Sequence, residues 1–234
     1  PAEKRSKVFE LMQDMQTKMQ KTMKSGSPDP EDFRKMMKES EDAMAAILTP
    51  EEMLDYNLRF SMTANMMRMQ LAGFEPTEQE FLDMFKKRKA YDDEYGIAGM
   101  GGLNLKGEEK QKQKAAEQQL NDQIKATLGE ERYQDYKRAQ DYAFQAMYRV
   151  ADRESLGKDA AVKVYDMKKI AEDQAKKIRQ DQALTKEQRT AALQGIRTET
   201  ENSIKTVFGD KGFQSYQKQP AANWLNAISP EPKN

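Results

Sequence analysis

Ile47-Leu48-Thr49-Pro50-Glu51-Glu52-Met53-Leu54-Asp55-Tyr56 has two echoes in the chain, Thr127-Leu128-Gly129-Glu130-Glu131-Arg132-Tyr133-Gln134-Asp135-Tyr136 and Val207-Phe208-Gly209-Asp210-Lys211-Gly212-Phe213-Gln214-Ser215-Tyr216. Leu48, Leu128 and Phe208 are 80 residues apart each time, as are Tyr56, Tyr136 and Tyr216. A fixed period of this length is the mark of a duplicated structural unit. Each copy reads as a helix start. A large apolar residue precedes an N-cap residue (Thr49, Gly129, Gly209), and a second apolar residue (Met53, Tyr133, Phe213) stands at N4, the spacing of a hydrophobic staple. Thr49 with Glu52 adds a capping box, and Pro50 takes N1, where its missing N–H costs nothing. The tyrosine one turn further lies on the staple's face. Leu48, Met53, Tyr56, Leu128, Tyr133, Tyr136, Phe208, Phe213 and Tyr216 are therefore expected to hold corners between helices.

The repeat extends more loosely outward: Ile124-Lys125 matches Ile204-Lys205, while Phe81, Met84 and Phe85 match Ala161, Val164 and Tyr165. The expected fold is all-α, an elongated multi-helix bundle of about two copies of an 80-residue helical unit plus an N-terminal helical arm. Residues 1–30 form a Met-rich arm and linker, 31–129 the first repeat, 130–219 the second, and 220–234 an apolar patch and tail. Helices are expected at 2–24, 31–47, 50–59, 62–72, 78–95, 108–128, 130–139, 141–153, 158–181, 186–207 and 210–217. Thr77-Glu78-Gln79-Glu80 is a further capping box, and Ser25 to Pro30 is a breaker. Trp224, Leu225 and Ile228 form an apolar patch expected to dock on the body.

Composition narrows the function classes. Charged residues make up 33% of the 234, and 39 Lys and Arg balance 39 Asp and Glu, which gives no electrostatic reason to bind nucleic acid or an anionic membrane. Apolar runs are too short to span a bilayer, so a water-soluble helical body is expected. The chain has no Cys and no His, which removes thiol chemistry, the common nucleophile and base pairs, and nearly all zinc sites. No catalytic residues and no cofactor are assigned. Glu51-Glu52, Glu130-Glu131, Asp92-Asp93-Glu94 and Glu108-Glu109 read as charge favoured at helix N-termini and solvated elsewhere, and Lys86-Lys87-Arg88-Lys89 as a solvated face with a small anionic contact. The Gly96–Gly107 stretch lacks phosphate-loop spacing and reads as a connector inserted between long helices, where Asp181 to Leu184 makes the same turn in the second repeat.

Thirteen of the sixteen methionines precede residue 85. Val8, Met12, Met15 and Met19 make an a/d seam continued by Met23, an adaptable stripe suited to a partner helix, either in another subunit or on the chain's own body. The alternative is soft-metal binding: thioethers take Cu(I) or Ag(I), and Met12, Met15, Met19, Met23, Met66 and Met69 are the candidate ligands. Partners are expected to be other proteins or a second copy of the chain as a homodimer.

Leu184-Thr185-Lys186-Glu187-Gln188 carries the LTxxQ signature of the small periplasmic all-helical stress proteins of the Spy and CpxP type, and Leu48 to Glu52 is a near match with Glu in place of Gln. More broadly, with Gly73-Phe74-Glu75-Pro76-Thr77-Glu78, the chain resembles a group of exported all-helical bacterial proteins. The resemblance implies a periplasmic or otherwise exported, non-enzymatic protein that acts as a protein-binding scaffold or ATP-independent holding chaperone, often dimeric and in some members linked to metal stress. A first residue Pro1 in place of Met fits either a mature chain whose export signal has been removed or a chain expressed from that point.

Overall fold

Gly129 and Gly209 take nearly the same backbone conformation, φ 75°, ψ 169° and φ 70°, ψ 170°. That region is open almost only to glycine. It lets one helix end and the next begin with a single residue between them: the Gly129 N–H is bonded to the Lys125 carbonyl while its own carbonyl accepts the Tyr133 N–H. The first corner is built differently. Residues 46–48 turn on bonds to Asp42 and Met44, and Thr49 caps from the extended region at φ −69° with a complete capping box.

The computed structural model describes residues 2–24, 26, 30–96 and 105–228. The tail prolines, most of the Gly96–Gly107 stretch and the side chain of Met23 lie outside the described residues. Eleven α-helices and one 3-10 turn follow in order, with no strand among the described residues. They are α1 (Ala2–Lys24), α2 (Pro30–Ala45), α3 (Pro50–Phe60), α4 (Met62–Gln70), α5 (Glu78–Tyr95), α6 (Gly107–Leu128), α7 (Glu130–Ala139), α8 (Tyr142–Arg153), α9 (Lys158–Gln180), α10 (Lys186–Gln217, bent at Gly209), the 3-10 turn Pro220–Ala222, and α11 (Trp224–Ile228). No helix among the described residues is long and apolar enough to cross a membrane.

The period of the sequence returns as a period of burial. Met44, Ile124 and Ile204 are all buried, as are Ala64, Phe144 and Trp224, and the pairs Met67 and Met147, Leu71 and Ala151, Met84 and Val164, and Phe85 and Tyr165. Each set is spaced by 80 residues. The helix order long, short, short, long therefore recurs as α2 to α5 and α6 to α9, and begins again at α10. Within this order α1 is not an isolated arm: it packs on α2 just as α5 packs on α6 and α9 on α10. The stretch after α5 is no insertion either. α5 stops at Tyr95 with Gly96 as its C-cap and α9 stops at Gln180, and the 80-residue spacing holds on both sides of the stretch, so it adds no length to the repeat.

Contacts divide the chain into two compact units, residues 1–69 with 76–133, and residues 70–75 with 134–234. In the second unit α8 lies against the α9–α10 hairpin, and 70–75 is part of its core. Phe74 is fully buried with its ring edge-on to Tyr136 at 5.9 Å. A Cβ on Gly73 would stand 2.7 Å from the Phe144 ring, which is why the chain passes there as glycine. Tyr216 is sealed under α11: the Trp224 indole N–H donates to its oxygen at 2.8 Å, and burial pushes its pKa up to about 12. The apolar patch at 224–228 thus docks as a short helix.

In the first unit ion pairs join the helices beside a small apolar core. Asp92 is buried, contrary to the solvated reading of its acidic run: one oxygen accepts from Thr63 Oγ1 and the other from Arg88 Nε, both at 2.8 Å. Of Lys86 to Lys89, Lys86 is exposed, while the anionic contacts fall to Arg88 and Lys89 and go beyond a solvated face. Arg88 is held by Asp92, and Lys89 joins α5 to α2 by bonding Asp93 at 2.6 Å and Glu41 at 2.7 Å. Burial opposes the Lys89 charge, but these two carboxylates outweigh it and raise its pKa.

Candidate functional site

The first unit leaves apolar helix faces half-covered, and these are the candidate binding surface. α3 is amphipathic through Met53, Leu54, Tyr56, Leu58 and Phe60, yet none of its residues is buried. Phe60 is 57% exposed, with its ring 5.2 Å from that of Tyr56. On α4, Met67 enters the core, Met66 is half-buried and Met69 is 72% exposed. On α1, Phe9 and Met12, one helical turn apart, face outward at 60% and 37% exposure.

The seam of α1 differs from the expected one by a residue. Lys4, Val8, Leu11, Met15, Met19 and Thr22 are half-buried, and Met12 falls outside the seam. The reason is helix phase: from Val8 a step of three reaches Leu11 and a further four reaches Met15, while Met12, a step of four from Val8, sits about 100° round from Leu11. Of the two dispositions open to the helix, the chain's own body is the one seen. The Ser40 hydroxyl donates to Met15 Sδ at 2.8 Å, and Lys4 pairs with Glu52. Glu52 serves twice, because it also accepts the Thr49 N–H at 2.8 Å. The Lys4 bond and the Thr49 N–H hold its pKa down near about 2.

The same arrangement recurs at α5. Glu80 closes the Thr77 capping box and is gripped in two places by Arg132 of the second corner, at 2.9 and 3.0 Å. Arg132 above all, then the Thr77 N–H, lower its pKa to about 2. The LTxxQ stretch is likewise a complete capping box, with Thr185 Oγ1 accepting the Gln188 N–H and Gln188 accepting the Thr185 N–H.

The corner residues change in burial along the chain. Leu48, Met53 and Tyr56 are half-buried, as are Leu128 and Tyr133, with Lys125 over the Tyr133 ring; Tyr136, Phe208, Phe213 and Tyr216 are buried. As ligands for one soft ion, Met12, Met15, Met19 and Met23 are spread along about 16 Å of helix, and Met15 sulfur is engaged by Ser40. Among the described residues no group of three His, Cys, Asp or Glu is placed to hold a metal. A shallow groove on α10 runs past Gln194, Gly195, Thr198, Asn202 and Thr206, none of them a candidate residue. Leu11, Ser40 and Phe60 were missed in sequence. A count from Val8 that steps three and then four finds Leu11, where the four-three count finds Met12, but nothing local marks the other two.

No family model matches the chain, and neither a curated protein nor a solved structure matches it.

Proposed function

We propose that the chain is a non-enzymatic scaffold of the cell envelope that holds other proteins, in the manner of an ATP-independent chaperone, on the methionine-rich helices of its first unit. One observation carries this reading. Of the buried apolar residues among those described, only Met44, Ala64, Met67, Met84, Phe85, Leu120 and Ile124 belong to the first unit, and the other twenty-five belong to the second. The first unit therefore keeps its unbranched, polarizable side chains within reach of solvent, and methionine surfaces adapt to partners of varied shape. Balanced charge favours protein over polyanionic partners. The envelope compartment is supported by the LTxxQ resemblance.

The test is suppression of client aggregation by light scattering. Phe9→Ser, Phe60→Ser and Met69→Ser alter exposed positions of the first unit, and Tyr142→Ser with Ile170→Ser alters exposed positions of the second. The combined first-unit variant should lose the suppression that the second-unit variant keeps. Absence of suppression by the native protein, or equal loss in both variants, would reject the reading.

A further inference from the structure

We propose, building on the protein-binding reading above, that Met15 and Met19 form an oxidation-sensitive latch by which peroxide or hypohalous acid releases α1 from α2 and so regulates the first unit.

The methionines of that unit sort by access. Met44, Met67 and Met84 are sealed in its core, and Met12 and Met69 stand in solvent. Met15 and Met19 lie between these extremes, half-buried along the α1 seam, as do Met36, Met37, Met53, Met62 and Met66 elsewhere in the unit; of these, Met15 and Met19 are the two on the helix that the latch would release. The chain contains no cysteine to consume the oxidant first, so thioethers are its softest reachable nucleophiles. In the second unit Met147 is fully buried and Met167 half-buried.

The step balances with hydrogen peroxide as the co-reactant. A sulfur lone pair attacks one peroxide oxygen, the O–O bond breaks and hydroxide departs. The hydroxysulfonium then gives its proton to that hydroxide, leaving sulfoxide and water. Sulfur loses two electrons and the peroxide gains two.

The geometry makes Met15 the sensitive member. Its sulfur sits 2.8 Å from the Ser40 oxygen. A new oxygen on the Ser40 side has no room, and one on the other side places a strong dipole in an apolar seam. Met19 adds a second dipole one turn along the same seam. On the α1 side little else resists, because none of the described α1 side chains is fully buried. Its ion pair, Lys4 with Glu52, is solvent-exposed on the Glu52 side and holds weakly.

The experiment treats the full chain with hydrogen peroxide, maps sulfoxides by mass spectrometry, and follows tryptic cleavage at the exposed Lys7, Lys18 and Lys21. Cleavage within α1 should accelerate on the order of tenfold once Met15 and Met19 carry sulfoxides, since cleavage tracks the population of the opened helix. A methionine sulfoxide reductase should restore protection. Met15→Leu with Met19→Leu preserves the seam's volume and should keep α1 protected while Met12 and Met69 still oxidise. Trp224 emission should not change in either protein. Unchanged cleavage with sulfoxide at Met15 and Met19, no sulfoxide at either after Met69 has reacted, or equal acceleration in the leucine variant would each overturn the latch. The cleavage readout needs no client, so failure of aggregation suppression by the reduced protein rejects the binding reading alone.

Discussion

Gly129 and Gly195 are both glycines with open space around them, and they should answer alanine in opposite ways. A Cβ at either position meets nothing within 4 Å, so packing does not enter. At Gly129 the backbone has φ 75° and ψ 169°, where a side chain is strained, and Gly129→Ala should cost about 1–3 kcal/mol. Gly195 lies in the helical part of α10, where alanine is the better helix former, and Gly195→Ala should stabilise by roughly 0.5–1 kcal/mol. Urea unfolding followed by far-UV circular dichroism measures both. No loss at Gly129 would show that the corner is not fixed by its dihedral angles, and a loss at Gly195 would show that helix propensity does not decide that position. Thr49 shows why one corner dispenses with glycine: three turn residues absorb the change of direction there, so its N-cap stays at negative φ.

At the scale of the element, the starts of α3 and α5 depend on a basic residue from elsewhere in the chain that clamps the capping-box glutamate. For Glu80 the folded pKa of about 2 lies below its ordinary value of 4.5. The sign follows: this pairing stabilises the fold fully above the unfolded value and is lost as pH falls from about 4.5 towards 2. Because the carboxylate is partly open to water, its contribution is below about 1 kcal/mol. Carbon-detected titration of the Glu80 carboxyl should place its midpoint near 2, and Arg132→Gln should return it towards the ordinary range. A midpoint that ignores the Arg132 change would mean that the cap alone sets it. The caps themselves were legible in sequence, since Thr-x-x-Glu and Thr-x-x-Gln act within one turn and need no tertiary context. The clamp was not, because Glu80 and Arg132 are 52 residues apart and only folding brings them together. Asp92 was misread for the same reason: its partner Arg88 is local, but Thr63, which shares its burial, lies on another helix.

For the whole molecule, the uneven core predicts uneven stability. The second unit seals whole aromatic side chains such as Phe74, Phe144 and Tyr216, while the first closes over few side chains, with ion pairs beside them. Burial at about 25 cal/mol per Å² then favours the second unit. The single tryptophan, Trp224, belongs to the second unit and reports on it alone. Denaturant should lower the helical signal in two steps, with Trp224 emission following only the later one; a single coincident transition by both probes would contradict this. The repeat, the helix boundaries and the all-α class could be read from spacing, because periodicity is a local property of the chain. Which repeat would keep its apolar faces open could not, because Tyr56 and Tyr216 stand in the same phrase and differ only in what folds over them. The one-residue joints have a further consequence. With no slack between helices, a single residue inserted after Gly209 would rotate everything downstream by about 100° and carry Phe213 and Tyr216 off the core face. The constant spacing of the corners is thus a gearing tolerance as well as a trace of ancestry, and length changes in this chain are admissible only where a true loop can absorb the phase.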